Sequence, residues 1–399
     1  DSFPSLDIIV RYEGEATFTE LLNELRTGGD LKQVEGLAFR EDNRVVKTAP
    51  RALIHDLDSL PIPAYDMIPL EKYAPFGMLW PKAATVQGNR GCPYVCEFCT
   101  WTATEGQHYI DNNGIEQLSP RFRTKSPERM IEEVELLYEK YKVRYLFWVD
   151  ATWNFDSQWL DTFSSELIRR KYDLGWWAFV RADLMLKQHE SGVLRKMVDA
   201  GLRHCLFGAE RGSEEHLAEL GKDGATPDHF LRISHILEKE YPEVFRQACF
   251  LVGLPSDTPE SLGKLSEYVR ATHVDFPAIH PLMPYPGTPG FEKFHDLVEE
   301  WDFSKWDMFY PVIKPHNMTR EEVTHYAEKI NLDFIAKNPQ RYIAGMFSRH
   351  PIRRRLYWWF LFSIGRVVGN DALQAVMGKK KFEGFGGVNR LWKPSWYDS

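Results

Sequence analysis

The sequence predicts an α/β chain centred on a parallel sheet that is closed, or partly closed, into a six-stranded barrel. Three observations lead there. From residue 83 onward, six strand-like segments alternate with amphipathic helical segments. A glycine-framed loop carrying three of the chain's five cysteines follows directly on the first of these strands. Asp150, Arg181 with Asp183, Glu210 and Gly253 each come just after one of the next four strands, at the strand ends where barrels gather their functional groups.

The elements follow in order. Residues 6–10 read as a short strand, and Phe18, Leu21, Leu22 and Leu25 recur behind it at helical spacing. Residues 34–39 and 44–47 read as a hairpin, with Glu41-Asp42-Asn43 as its turn. These elements are too few to bury both faces of a sheet, so they form a fragment of an α/β unit. Residues 56–63 form a linker, in which Pro61 and Pro63 favour an extended path.

The barrel strands are expected at 83–87, 145–149, 176–180, 205–208, 248–252 and 278–282. Ser126-Pro127 serves as N-cap and first residue of the first helix, whose apolar stripe is Met130, Ile131, Val134, Leu137, Tyr138 and Tyr141. Trp159, Leu160, Phe163 and Leu167 mark the second helix. Val193, Leu194, Met197 and Val198 mark the third, which stops at Gly201. Phe230, Ile233, Ile236 and Leu237 mark another, and Leu262, Leu265 and Val269 the last. After Pro286-Gly287-Thr288-Pro289 the alternation ends, and a capping box at Thr319-Arg320-Glu321-Glu322 opens a helix through Val323, Tyr326, Ile330 and Phe334. From about residue 290 the chain is expected to be mainly helical.

With 399 residues there is material for two or three domains and a large core. The formal net charge of −8 argues against a general nucleic-acid or anionic-membrane binder. Three clustered cysteines among five are not a secreted disulfide framework, so a reducing cytoplasm is expected. No apolar run has membrane-spanning length; the longest, 356–368, is broken by Ser363, Gly365 and Arg366. The chain opens without methionine inside what reads as a folded unit, which leads us to expect sequence upstream.

The chemistry points to Gly88-Asn89-Arg90-Gly91-Cys92-Pro93-Tyr94-Val95-Cys96-Glu97-Phe98-Cys99. Three soft thiolates in a C-x3-C-x2-C pattern suit a multi-iron cluster or a zinc ion. A structural zinc site is normally closed by four protein ligands, and no fourth Cys or His follows at finger-like spacing. The zinc alternative would need His108, Cys205 or Cys249 as the fourth ligand.

This loop resembles that of the radical S-adenosylmethionine (radical SAM) enzymes, whose signature is C-x3-C-x2-C with an aromatic residue before the last cysteine, here Phe98. The resemblance covers residues 76–290. It implies a partial (β/α)6 TIM-like barrel and a 4Fe-4S cluster on Cys92, Cys96 and Cys99. It also implies SAM on the open iron, one-electron cleavage to a 5′-deoxyadenosyl radical, and a reductant such as flavodoxin or ferredoxin. Asp150, Arg181, Glu210 in Gly208-Ala209-Glu210-Arg211-Gly212-Ser213, and Gly253 in Leu251-Val252-Gly253-Leu254-Pro255 stand where the family contacts SAM, together with Phe98.

Tyr285-Pro286-Gly287-Thr288-Pro289 is similar to the sixth-strand ending of the cobalamin-associated subgroup, which includes methyltransferases and the anaerobic magnesium-protoporphyrin ester cyclase type. Arg11-Tyr12-Glu13-Gly14-Glu15 and Leu57-Asp58-Ser59-Leu60-Pro61 resemble the end of that subgroup's Rossmann-like cobalamin domain and its linker. The D-x-H-x-x-G loop, which in many such domains supplies a histidine to cobalt, is absent from these residues. The implied organisation is 1–55 as the remnant of the cobalamin domain, 56–75 as linker, 76–290 as barrel and 291–399 as a mainly helical region. The implied reaction is radical methylation, cyclisation or rearrangement of a small organic substrate.

Plainer readings stand beside these. Glu210 is expected to pair with Arg181 or Arg211 if it is structural, and Asp150 to hold a turn. Cys205 and Cys249 are expected as buried apolar fillers. His108 and Tyr109 are expected as packed surface residues, and Arg353-Arg354-Arg355 as a solvated face.

Overall fold

The structure is a computed structural model that describes residues 6–42, 44–73, 82–222 and 224–378. Asn43 of the expected turn, residues 74–75 of the linker, 76–81 of the expected barrel and 379–399 of the C-terminal region lie outside the described residues.

Six parallel strands form the central sheet: β1 Ala83–Val86, β2 Tyr145–Trp148, β3 Gly175–Val180, β4 Leu202–Glu210, β5 Phe245–Val252 and β6 Phe276–Pro281. They are ordered as in the chain, and β1 and β6 are edges, so the sheet is an open partial barrel. Sequential order has a consequence. Each parallel crossover is right-handed, so with no reversal of direction all the connecting helices fall on one face, and the sheet curls away from them. Those helices are α1 Pro127–Glu139, α2 Ser157–Arg170, α3 Ala182–Glu190, α4 Val193–Ala200, α5 Pro227–Glu240 and α6 Pro259–Ala271.

Strand alternation sorts the side chains. Leu146 and Trp148, Trp176 and Ala178, Cys205 and Phe207, and Ala248 and Phe250 face the helices and are buried in one core. The residues between them, including Phe147, Trp177, Phe179, Leu206, Gln247 and Cys249, face the concave side and are only partly covered. Cys205 is therefore the buried filler its sequence suggests. Cys249 is not: the alternation turns it to the concave face, half-buried.

Helix α1 starts as expected, with the Ser126 side chain accepting from Arg129 N and Pro127 in the first turn. Helix α3 was not foreseen, because only Arg181 and Asp183 drew notice in that stretch; Leu184, Met185 and Leu186 bury it. In the N-terminal unit, strands Ile8–Val10, Leu37–Glu41 and Arg44–Lys47 form an antiparallel sheet with its own small core of Leu21, Val34, Leu37 and Phe39. The predicted strand at 34–39 begins later than expected. Asp30 caps a 3-10 turn at Leu31–Gln33, and Gly36 then turns the chain at φ +79°.

The C-terminal region is helical, with α7 Arg320–Lys337, α8 Pro339–Met346 and α9 Pro351–Val376. The predicted capping box at Thr319 and Glu322 is formed. Val323, Ile330, Phe334, Tyr342, Leu356 and Tyr357 join the barrel's own core, so this region completes the barrel. Among the described residues no helix is long and apolar enough to cross a membrane.

A buried ion pair ties these parts together below the sheet. Arg246, at the start of β5, meets Asp275, just before β6, through two bonds of 2.6 and 2.8 Å, with side chains 0% and 1% exposed. Tyr357 of α9 donates to the same carboxylate. Burial opposes the charge on Asp275, but the Arg246 guanidinium holds its pKa below the usual carboxylate value. Removing one partner leaves the other charge buried and unpaired. Asp275→Ala is expected to lower stability by about 3–5 kcal/mol, read from urea unfolding.

Candidate radical SAM site

The cysteine loop has almost no secondary structure of its own, so its shape comes from groups that reach it from elsewhere. Asp150, directly beyond β2, accepts from Gly88 N at 3.0 Å and also from Asn89 N. Glu105 accepts from Gly91 N, while Gln87 donates to its other oxygen at 3.0 Å. Gly91 has φ +79°, and a Cβ there would stand 1.9 Å from the Arg121 carbonyl oxygen, so only glycine fits. Glu97 N donates to Leu220 O at 3.0 Å, and Glu97 O accepts from Gly290 N at 2.8 Å. Lys293 closes over the Glu97 carboxylate at 2.7 Å. Gly290, directly after the Pro286-Gly287-Thr288-Pro289 stretch noticed in the sequence, is thus a docking point for the loop. Phe98 anchors it from below, against the satellite core of Leu220, Leu251, Leu254 and Leu282.

The three thiols are half-buried. Burial pushes the Cys99 thiol up to about 12, and its two neighbouring cysteines push in the same direction. Burial also raises Cys96, against the pull of Lys222 and Arg181. Such thiols are stable as thiolates when a cationic metal centre compensates them. Three cysteines in a C-x3-C-x2-C pattern suit a multi-iron cluster, in which each cysteine takes a different iron.

The groups expected at the strand ends separate into two kinds. Glu210 and Arg181 lie beside the thiols. A register shift between Gly208 and Glu210 marks a bulge at the end of β4, and Glu210 adopts φ +58°, uncommon for a residue with a side chain. The bulge aims its carboxylate at Lys222, 2.9 Å away, whose ammonium also donates to Gly208 O at 2.6 Å. Burial lowers the Lys222 pKa, but Glu210 and Cys96 outweigh it and leave it raised. Arg181 bonds Asp183 at 3.0 Å and lies 3.5 Å above the Tyr94 ring of the cysteine loop.

Asp150 and Gly253 are enclosed. Asp150 is 0% exposed and turned to the loop backbone, as its plainer reading foresaw; burial pushes its pKa up to about 8 against the two N–H donors. Gly253 makes a left-handed turn at φ +78° beneath Val323 of α7.

The partner of Glu210 is neither Arg181 nor Arg211. Arg211 forms a buried pair with Asp257 at 2.6 Å and donates to Leu251 O, which pins the β5 turn to the end of β4. Lys222 escaped sequence reasoning because nothing local marks it: it lies twelve positions after Glu210, in a Leu-Gly-Lys turn. His108 is packed as expected, stacked on Tyr12 at 3.9 Å. Of the basic triplet, Arg354 and Arg355 are exposed, while Arg353 reaches back to within 3.9 Å of Asp275.

No protein-family model matches the chain. It is similar to an uncharacterized methyltransferase of Pyrococcus horikoshii, 28% identical over 353 residues, covering 87% of this chain and 71% of that protein. It is also similar to the anaerobic magnesium-protoporphyrin IX monomethyl ester cyclase of Cereibacter sphaeroides, at 27% identity over 85% of this chain and 52% of the cyclase. Its fold is shared with two solved cobalamin-dependent radical SAM proteins. OxsB matches with a TM-score of 0.61 at 14% identity, over 96% of this chain and 58% of OxsB. The methyltransferase TsrM of Kitasatospora setae matches with a TM-score of 0.56 at 16% identity, over 82% of this chain and 63% of TsrM.

The chain thus shares the fold of these two radical SAM proteins, and its curated relatives are a methyltransferase and a cyclase. Relative to that cyclase it spans about half the length, so reaction and substrate are matters of proposal.

The cysteine loop is held by backbone contacts with little slack. A Cβ on Gly290 would stand 2.8 Å from Glu97 O and 3.2 Å from its carbonyl carbon. Gly290→Ala is expected to push the loop away at a local cost of about 1–3 kcal/mol. Iron and sulfide bound per chain after anaerobic reconstitution should fall clearly, while far-UV circular dichroism stays unchanged.

Proposed function

We propose that Cys92, Cys96 and Cys99 hold a 4Fe-4S cluster and that SAM binds beside it, over the C-terminal ends of β3 to β5. When bound, this pair supplies a 5′-deoxyadenosyl radical on one-electron reduction. The observation that carries the proposal is the set of three half-buried thiols on a loop fixed by contacts from remote segments, bordered by Glu210, Lys222 and Arg181.

The chain's own residues have distinct tasks in this reading. Glu210, charge-balanced by Lys222, offers an acceptor to a hydroxyl or ammonium group of SAM. Arg181, held flat on Tyr94, offers a cation to a carboxylate. Gly253 lets the β5 turn pack closely beneath Val323 of α7, which fixes the strand end that borders the site, and Phe98 seats the loop. Asp150 acts through the backbone of Gly88 and Asn89 as a positioning residue. The concave wall of Phe147, Trp177 and Phe179 excludes water from the reacting centre.

The substrate is a small organic molecule, and the outcome methylation, cyclisation or rearrangement. Flavodoxin or ferredoxin in a reducing cytoplasm would supply the electron. Cobalamin use is favoured by one further observation. Between the N-terminal unit and the cysteine loop lies a groove of about 650 Å³, lined by Tyr12, Glu13, Glu15, Phe18, Arg90 and Glu105. We read residues 1–55 as the end of a cobalamin-binding domain, 56–75 as linker, 76–290 as barrel and 291–399 as its helical completion.

Anaerobic reconstitution with iron and sulfide, followed by SAM cleavage under dithionite, tests the reading. Cys92→Ala, Cys96→Ala and Cys99→Ala are each expected to abolish cleavage. Retention of full iron and cleavage in any of them would sink the assignment. Glu210→Gln removes a charge-assisted bond worth about 1.5–3 kcal/mol. Its KM for SAM should rise roughly 10- to 100-fold with the cluster's absorbance unchanged.

A further inference from the structure

Far from the cysteine loop, a second set of metal-ligating side chains meets at the opposite end of the barrel. His235 and Glu238 lie three residues apart on one face of α5, near its C-terminus. His273 lies between α6 and β6, where its backbone N–H donates to Ser234 Oγ at 3.3 Å. Two successive crossovers therefore bring three ligand-type groups together at the end of the sheet where strands begin. Among the described residues, this is the one set of three His, Cys, Asp or Glu residues with a ligand atom from each within 4.8 Å of the others.

The hydrogen bonding prepares the ligand atoms. Glu238 Oε2 lies 2.7 Å from His273 Nδ1. An ionised carboxylate only accepts, so the proton resides on Nδ1 and the lone pair on Nε2. That lone pair faces His235 Nδ1 at 3.3 Å, with the rings 4.7 Å apart and inclined at 68°. For two imidazoles on one tetrahedral zinc, with bonds of about 2.0–2.1 Å, the nitrogens stand about 3.3 Å apart. A carboxylate on the far nitrogen of a histidine is also the usual support behind a metal ligand, fixing its tautomer and raising its basicity.

We propose that His235 and His273, oriented and assisted by Glu238, bind one zinc-class divalent cation on the outer face of the barrel. Imidazole donors favour zinc, copper, nickel or cobalt over magnesium and calcium. His235 is exposed and the other two half-buried, so water completes the coordination. The ion cross-links α5 to the α6–β6 connection. It staples two crossovers and has no access to the radical site, so its occupancy does not depend on the proposed reaction.

The test uses the full chain with its cluster reconstituted, dialysed anaerobically against micromolar zinc, washed and assayed for metal. One zinc per chain is expected, both in the parent and in a Cys92/Cys96/Cys99→Ala triple variant. His235→Ala and His273→Ala should each lose it, and Glu238→Gln should bind at least tenfold more weakly. Zinc should raise the parent's melting temperature where magnesium does not. No uptake by the parent overturns the proposal. So does uptake that survives both histidine substitutions, or that vanishes only with the cysteines. His235 is exposed, so its variant folds whatever becomes of the His273 one.

Discussion

The cysteine loop can hold its shape only through backbone contacts made by distant parts of the chain. It has neither helix nor ladder to stabilise it between Gly91 and Cys99. Its peptide groups are satisfied by Asp150 after β2, by Glu105, by the Leu220 carbonyl after β4 and by Gly290 after β6. The connections after β2, β4 and β6 thus each supply a polar contact to the loop, the end of β3 supplies Arg181 over Tyr94, and Phe98 packs on the satellite core that includes Leu251 of β5. A barrel misassembled at any one strand would leave some of these groups unpaired, which couples the loop's geometry to the integrity of the whole sheet.

Charge is managed by pairing at successive depths. Lys222 neutralises Glu210 next to the thiols, Arg211 neutralises Asp257 one layer outside, and Arg246 neutralises Asp275 at the far end. Each pair is nearly or wholly buried, and each joins elements that are distant in sequence. Such pairs add little net stability over apolar packing, but they penalise any arrangement that separates the partners. The left-handed backbone of Glu210 fits this picture. A cost of about 1–3 kcal/mol is sustained where the surroundings fix the geometry, and here the bulge in β4 and the Lys222 ammonium do so.

The N-terminal unit is joined to the loop by the same means. Arg90, next to Gly91 of the loop, bridges Glu13 and Glu15, while Arg123 holds Glu13 at 2.7 Å. The Arg-Tyr-Glu-Gly-Glu stretch therefore carries both an element boundary and an anchor, with Glu13 also capping Ile54 N at 2.8 Å. A unit with a core of only four fully buried apolar residues gains its orientation from these charged contacts.

The sequence by itself determined the architecture. Strand and helix periodicities are local, so all six strands, the capping box at Thr319 and the cysteine spacing could be read before any long-range contact was known. The tertiary structure decided which strand-end residues face the site and which are enclosed. It turned Asp150 into a brace, gave Glu210 a lysine twelve residues away instead of either arginine, and exposed Cys249 to the concave face. It also brought His273 to His235 across two crossovers. The physical reason is the same in each case. Pairing, burial and the direction of a side chain after a bulge depend on atoms supplied by remote segments, and no local pattern encodes them.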